Sequence, residues 1–427
     1  MTTNIASRAA RVTSAATGCP PLGCPSSYTA AVTTPCGSTV VPVAALGPLV
    51  KKVTWGRRVN DISRATVNLG PTAGPGCCPP TDDIEPWMHE LEIYRDGEFV
   101  WSGPITTITT DETDGSVEID AADPGHRLTK IVNTTNVGMD PWIGADVAEM
   151  AASMIAWELA HSAFACPPPA GCDCADEYCI GDRMVVEPSG ITWKAGRAEL
   201  WTAYLHDVLA KLAERAFEHY FVGHTLVIRP ARGKDDPPRA RLRSEHIDGG
   251  VQLVRSDDDL ATRAFATNKT DTGTGNTAGE RPGITVTTPG PGCPAAPCDV
   301  YGRVDFLTAD TAGTATDATD DQIAAHLMDL AKGALAGRCP APLSVRIADG
   351  AHLSPSAPVC INELIPGERY DLRTTGACHN IAAALRLAAL DVTWENGTET
   401  VAVSFTPLTG PAMNITPENT RLPGGPA

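Results

Sequence analysis

Alternation of apolar and polar residues dominates the first third of the chain. Val53 and Trp55 alternate with polar neighbours, as do Ala65, Val67 and Leu69. Leu91 and Ile93 lead into Asp96-Gly97, after which Phe99 and Trp101 resume; Asp114-Gly115 precedes Val117 and Ile119. A period of two puts every second side chain on one face of a strand. Asp-Gly between two such runs signals a hairpin, because glycine accepts the positive φ of a type I′ turn. Residues 51–130 therefore predict a β-meander or small barrel, interrupted by a Cys/Pro loop at 71–83.

Beyond it the period lengthens. Over 144–163, Val147, Met150, Ala151, Met154, Ile155 and Leu159 fall on one helical stripe that reads as core. Leu200, Leu205, Val208, Leu209 and Leu212 predict a second helix at about 198–217, followed by a hairpin, 219–222 with 225–229, about Gly223-His224. The basic run Arg232, Lys234, Arg239, Arg241 and Arg243 is broken by Asp235 and Asp236 and carries no aromatics. It reads as a solvated or inter-subunit strand rather than a nucleic-acid grip. A helix at 319–337, with Asp320 and Asp321 favourable to its dipole, precedes strands near 343–347, 371–373 and 387–394 and a hairpin at Asn396-Gly397. The expected organisation is an extended arm (1–50), a first barrel (51–130) and an α+β connecting domain (131–246) with a Cys-rich loop at 166–179. A second β domain (247–410) carries the helix and a loop insertion at 267–299, and a tail follows (411–427). Segments 58–67 and 255–265 share an Arg, an acidic turn and an alternating strand, which suggests a duplication.

Charge narrows the function. Lys+Arg 33 against Asp+Glu 51 gives −18, which argues against nucleic-acid or anionic-lipid docking. No run of 18 apolar residues occurs, so no membrane insertion is expected, and residues 1–18 lack the apolar core of a cleaved leader. Yet there are 14 cysteines, many in Pro/Gly-rich loops. Cys19, Cys24, Cys166, Cys172, Cys174, Cys179, Cys293 and Cys298 are disulfide candidates, with the 166–179 loop expected to be crosslinked. Zinc on Cys166, Cys172, Cys174 and Cys179 is the alternative, but the one-residue gap between Cys172 and Cys174 suits it poorly. Together these features fit a protein made in the cytosol that works outside it, or a cytosolic protein whose thiols stay reduced.

No catalytic motif appears: no nucleophile elbow, zincin helix or P-loop. The Gly-rich 273–279 segment lacks a strand before it and a helix after it. His89-Glu90 reads as a rim pair, His206 and His219 as core or surface, and the acidic run 257–259 as a strand entry lacking the glycine and distal glutamate of a calcium loop. Trp55, Trp87, Trp101 and Trp142 could stack on sugars, though core packing is the simpler reading. The chain is not expected to be an enzyme, and no cofactor is expected.

The segments VTWGRRVNDISRATVNL, LEIYRDGEFVWSGPITTITT and GSVEIDAADPGHRL give the first barrel a familiar look. This stretch resembles the N-terminal β domain of minor tail proteins of long-tailed, non-contractile actinobacterial phages. The resemblance is carried by Trp101, Ser102, Gly103, Pro104 and Ile105 and by the Asp123-Pro124 step. Segment 353–373 is similar to the second half of that family. The resemblance implies a mainly β fold with α+β insertions: two tube-like β-barrel domains, a small helical domain and irregular arms. It implies a tail-tip or baseplate hub in the virion, a homotrimer that partners the distal tail ring, tape-measure and tip or fibre proteins. Viral DNA passes through it without specific binding. A distal tail ring or glycan-binding receptor protein is the alternative, and a cell-wall hydrolase a third reading. Some hub relatives hold an iron–sulfur cluster, a feature the cysteine spacing here does not support.

Overall fold

The computed structural model describes residues 21–23, 27–71, 79–134, 144–161, 165–167, 173–174, 176, 178–193, 203–233, 235–255, 260–268, 283–286, 297–310, 320–335, 339, 343–347, 351–375, 379–408 and 414–417. The fold is mainly antiparallel β with helical insertions. Among these residues no helix is long and apolar enough to cross a membrane. The chain divides into two compact units: residues 1–250, 347–406 and 415–427, and residues 251–346 with 407–414.

The first unit opens with β1 (Tyr28–Thr33), β2 (Thr39–Val41), the one-turn α1 (Val43–Leu46), β3 (Val50–Arg58) and β4 (Arg64–Leu69). Then come β5 (Glu90–Arg95), β6 (Glu98–Asp111), β7 (Ser116–Ala122) and the short α2 (Gly125–Leu128). The predicted alternation is realised: Val53, Trp55, Ala65, Val67, Leu69, Val117 and Ile119 are all buried. Asp96 and Gly97 take φ of 50° and 82°, the type I′ pair that the β5–β6 hairpin requires. At Asp114-Gly115 only the glycine has positive φ, and the four residues 112–115 form the loop, so this hairpin is wider than a two-residue turn. The arm expected at 1–50 is corrected over its second half. β1 pairs antiparallel with β5 from Tyr28–Arg95 to Thr33–Glu90, and its buried face is built from Tyr28, Ala30 and Val32, too small a set to announce a strand.

The connecting region supplies α3 (Val147–Ala160), β8 (Met184–Val186), α4 (Leu205–Ala216), β9 (Glu218–Val222), β10 (Thr225–Arg229), β11 (Ala240–Arg243) and β12 (Ile247–Asp248). Asp146 caps α3 by accepting from the Ala148 and Glu149 amides. Its buried stripe, Val147, Met150, Met154, Ile155 and Leu159, packs with Leu205, Val208, Leu209 and Leu212 of α4 in one core.

The second unit holds β13 (Val251–Arg255), β14 (Arg263–Asn268), β15 (Gly283–Val286), α5 (Pro297–Tyr301), β16 (Asp305–Asp310), α6 (Asp320–Leu335) and β17 (Leu343–Ile347). One side of its β15–β14–β16 sheet packs Ala264 and Ala266 against Leu327, Ala331 and Leu335 of α6. Beyond it the chain returns to the first unit as β18 (His352–Leu353), β19 (Arg369–Thr375), β20 (His379–Glu395) and β21 (Thr398–Pro407), and closes with β22 (Asn414–Pro417). Compact unit boundaries therefore lie near 251 and 346, not at 247 and 410. The strands expected to form one later domain separate because β18–β21 find their hydrogen-bond partners in the early sheet.

β20 is the joint. Its first half pairs with β19 from Arg369–Arg386 to Thr375–Asn380, and its second half with β3 from Ala389–Arg58 to Glu395–Lys52. The result is one sheet running β12-β18-β21-β20-β3-β4-β7-β6-β5-β1-β2, with β11 and β19 branching from β20. The duplication suggested by 58–67 and 255–265 is not matched. The first segment links β3 to its neighbour β4, while the second links β13 to β14, which lie in separate sheets.

The Trp-Ser-Gly-Pro run makes the corner of the first half. β6 pairs with β5 through Pro104 and with β7 from Ile105 onward. At this switch Gly103 lies so close to β7 that a Cβ would stand 1.9 Å from the Ala122 carbonyl oxygen. Asp123 accepts from the Ser63 amide at 2.6 Å, the Ser63 hydroxyl at 2.8 Å and the Gly125 amide at 2.9 Å, and Trp101 Nε1 donates to the same hydroxyl at 3.3 Å. Trp101 and Asp123 thus meet at Ser63, while Gly103 packs on the backbone that leads into Asp123. Gly103→Ala must push backbone away from backbone and is expected to cost on the order of 3 kcal/mol or more. Denaturant unfolding checks it; a loss under about 1 kcal/mol would contradict the close approach.

Candidate functional site: a polar sheet face backed by buried charge clamps

Strands β6, β7, β4, β3 and β20 lie side by side, so their alternation sorts side chains onto two faces. One face is the core. The other carries hydrogen-bonded polar rows. In the first row Asn68 Nδ2 donates to Glu118 at 2.7 Å, Lys52 lies opposite Asn68, and Lys52 Nζ is 3.5 Å from Glu395. In the next, Thr66 donates to Asp120 at 2.7 Å, with Thr54 and Thr393 continuing the register. Arg58 reaches Asp391 at 2.8 Å. Gly56 leaves space for that contact, because a Cβ there would stand 2.8 Å from Asp391 Oδ1. Thr107 and Thr109 of β6 extend the rows opposite Asp120 and Glu118. This face is hydrated and charge-mixed: carboxylates of Glu118, Asp120, Asp391 and Glu395 against the cations of Lys52, Arg58 and Arg64. It offers hydroxyl and carboxylate surface rather than a nucleophile with its base.

Buried ion pairs hold the sheet that bears this face. Arg95 Nε and Nη2 grip Glu399 at 2.7 and 3.0 Å, with both side chains almost fully buried. Glu399 also accepts from the Tyr28 hydroxyl at 2.6 Å and from the Gly23 amide at 2.9 Å. Burial first, then the Glu399 charge, pushes the Tyr28 phenol far above its ordinary range. The clamp ties β1 and β5 to β21, which are far apart along the sheet order. Arg57 is buried and has no carboxylate partner among the described residues: it donates to the Val100 and Leu364 carbonyls at 2.7 and 3.3 Å and lies 5.2 Å from the Trp55 ring centre. Desolvation pulls its pKa down to about 10, which leaves it charged at neutral pH.

A third cluster centres on Arg127, fully buried, whose guanidinium lies 4.3 Å from the Tyr178 ring centre and 5.4 Å from that of Trp87. It pairs with Glu90 at 3.1 Å and donates to the Trp87 carbonyl at 2.8 Å. Glu90, expected on a rim, is therefore core, and His89 hydrogen-bonds the Glu85 amide through Nδ1 instead of joining it in a dyad. His206 and His219 meet edge to face, ring centres 6.5 Å apart, beside a small cavity also lined by Asp61 and Asp123. Burial drives the His219 pKa down to about 3 and the Asp123 pKa up to about 6. Asp123 is already engaged by Ser63 and Gly125, so these groups form a packed corner.

The remaining sequence candidates fall as follows. Cys174 and Cys179 form a disulfide inside the expected loop, which removes two sulfurs from the zinc alternative. Asp176, buried between them, accepts from the Ile180 and Gly181 amides and shapes the turn that lays Tyr178 on Arg127. Cys36, Cys339 and Cys360 are also disulfide-bonded. Cys166 is exposed, and Cys298 is an exposed thiol in α5. Cys19, Cys24, Cys172 and Cys293, with Trp142, Lys234 and segments 257–259 and 273–279, lie outside the described residues. Trp55 and Trp101 are core residues and Trp87 is engaged by Arg127 and Lys130, so these three present no open sugar platform. The basic run is tied down by acids, Arg232 to Glu187 at 3.1 Å and Arg239 to Glu363 at 3.5 Å, and β11 pairs parallel with β19. Sequence reasoning missed Arg95 and Glu399 because a charged residue in an alternating strand reads as solvated, and Arg127 because a four-residue helix is too short to show a buried face. The one available sign was their position: Glu90, Glu92 and Glu399 share strands with dense apolar neighbours.

No protein-family model matches the chain, and no curated protein matches it in sequence. Among solved structures it is similar to the tail protein from Neisseria meningitidis MC58, with a TM-score of 0.52 at 14 % identity over 89 % of this chain and 96 % of that one. The 43 kDa tail protein of prophage MuSo2 from Shewanella oneidensis gives 0.53 at 10 % identity, over 89 % and 98 %. Prophage tail protein gp18 from Listeria monocytogenes EGD-e gives 0.50 at 11 %, over 88 % and 94 %. The chain thus shares the fold of phage tail proteins over nearly the full length of each.

Two measurements check the site. Glu399→Gln or Arg95→Met leaves a buried charge unpaired and is expected to cost about 3–5 kcal/mol, while the double change to apolar residues costs much less than the sum; additive denaturant midpoints would refute the clamp. Thiol titration of denatured, unreduced protein is expected to find no more than eight reactive groups. Five of the 14 cysteines are named above as bonded, and disulfides require an even number, so at least six are consumed. Fourteen free thiols would contradict every bridge.

Proposed function

We propose that the chain is a structural virion protein, a tail-tip hub that joins the tail tube to the tip and host-recognition apparatus and lines the DNA exit channel. Three copies surround the tail axis in this reading. Each supplies two tube-like β-barrel domains, so that three chains imitate a sixfold ring. Its partners are the distal tail ring, tape-measure and tip or fibre proteins. The work lies in interfaces and in a wall, not in bond chemistry.

The observation that carries the reading is the two-faced sheet on a fold shared with tail proteins. Its outer rows are threonine and carboxylate, and the cations Lys52 and Arg58 contact carboxylates of their own sheet. Non-specific DNA affinity comes from cations that release counterions when they meet phosphates. A wall without a cation surplus withholds that affinity, and the net charge of −18 adds repulsion at long range. A duplex can slide past such a surface without sticking.

A distal-ring or glycan-binding role is the second reading. It is favoured by Trp157, half exposed on α3 and stacked on His161 at 5.2 Å, which presents an aromatic plane to solvent. Electron cryo-microscopy of the particle separates the two. The hub reading expects three copies about the tail axis, with Thr54, Thr66 and Thr393 facing the lumen. Six copies, or these threonines facing outward, would overturn it, and a lysis band on host peptidoglycan would favour a hydrolase instead.

A further inference from the structure

The β9–β10 hairpin is a strut with unlike ends. At its base Glu218 pairs with Arg386 of β20, and Arg229 pairs with Glu368, just before β19, at 2.6 Å. Asn60 and His219 exchange backbone and side-chain hydrogen bonds beside them. At its tip, the two-residue turn Gly223-His224 reaches β5. His224 stands between two carboxylates, Nδ1 3.1 Å from Glu90 Oε2 and Nε2 3.5 Å from Glu92 Oε1. Its ring lies flat on Phe99 of β6, 8° from parallel and 5.8 Å between centres. Gly223 is needed for that approach, since a Cβ would meet the Phe99 ring at 2.5 Å. The strut therefore spans the two halves of the sheet. Its base is anchored by guanidiniums, which stay charged at all working pH, and its tip by an imidazole, which does not.

We infer that His224 is a pH-operated anchor: as a cation it pins the hairpin tip to the first half of the sheet, and on losing its proton it releases the tip while the base stays attached. The inference is independent of the role proposed above. The groups facing His224 are the two carboxylates of β5, Arg127 of α2 through its pair with Glu90, and Arg183 of the turn preceding β8. Tyr94 and Thr33 complete the shell by donating to Glu92. With His224 charged, Glu90 has two cationic partners, Arg127 and His224, and Glu92 has one; with it neutral, Glu90 keeps Arg127 while Glu92 loses its cation and keeps the hydroxyl donors Tyr94 and Thr33.

The direction of the pH dependence follows. Burial opposes the charge on His224, but Glu90 and Glu92 outweigh it and hold its pKa above the ordinary 6.5. The anchor is thus fully present below about pH 6.5 and is lost as pH rises through the raised value. Burial alone would raise Glu90 and Glu92, but contacts from His224, with Arg127 at Glu90 and Tyr94 at Glu92, hold both below the ordinary 4.5, so their contribution is lost only as pH falls below that. The tip is held best between these limits. The base moves the other way: burial raises Glu218, so its pair with Arg386 only gains as pH rises.

Hydrogen exchange on the full-length protein tests this, with rates normalised to the intrinsic exchange at each pH. Between pH 6 and pH 8, amides at 221–226 are expected to lose protection severalfold as His224 gives up its proton, while 218–220 and 227–229 hold theirs. His224→Gln should be released at both pH values, and His224→Lys should show no step. Protection at the tip that is flat with pH in the parent protein, or His224→Gln matching the parent at pH 6, would overturn the inference. A direct readout needs no variant: the His224 ring proton in the NMR titration should turn over above 6.5, and a midpoint at or below 6.5 would overturn it equally.

Discussion

The backbone ladder between β3 and β20 is the constraint from which the rest of the first unit follows. It joins residues 52–58 to residues 389–395, so most of the chain must be in place before it closes. Closing so long a loop is entropically costly, and the return comes only from cooperative pairing and burial. Once formed, it makes one surface of two strand sets that are distant in sequence. The core face receives Trp55 and Val392, and the opposite face receives the threonine and carboxylate rows. The second unit, inserted between β12 and β18, leaves that ladder intact.

A sheet this long has the problem of holding its ends in place, and the protein meets it with buried charge rather than more apolar contact. Arg95–Glu399 joins strands that are far apart in the pairing order, and Arg127 gathers Glu90, Trp87 and Tyr178 around one guanidinium. Such pairs add little net stability over apolar substitutes, because desolvation consumes most of the Coulombic gain. They do penalise wrong registers severely, since a one-residue slip would bury either charge alone.

The polar wall and the clamps assign different tasks to the same residue types. Glu118 and Glu395 stand in water, where their partners contribute little; Glu90 and Glu399 stand in the core, where a missing partner would be severe. Position along the strand does not distinguish them, because each sits in a similar alternating run. The face that each strand turns inward does.

Local pattern was enough for the hairpin at Asp96-Gly97, the stripes of α3 and α4, and the general β character, because turn chemistry and side-chain period act over a few residues. The motif around Gly103 and Asp123 was legible as a motif, but its reason, the close approach of Gly103 to the Ala122 backbone, was not. β1 and the first half of β20 were hidden by runs of alanine and threonine, which pack in strands without announcing a period. The division of the chain, the return of β18–β21 to the early sheet and the buried ion pairs belong to the tertiary structure alone. Each depends on hydrogen-bond partners or counter-charges distant in sequence, from 37 positions for Arg127–Glu90 to 304 for Arg95–Glu399, beyond the few residues over which period and turn chemistry act.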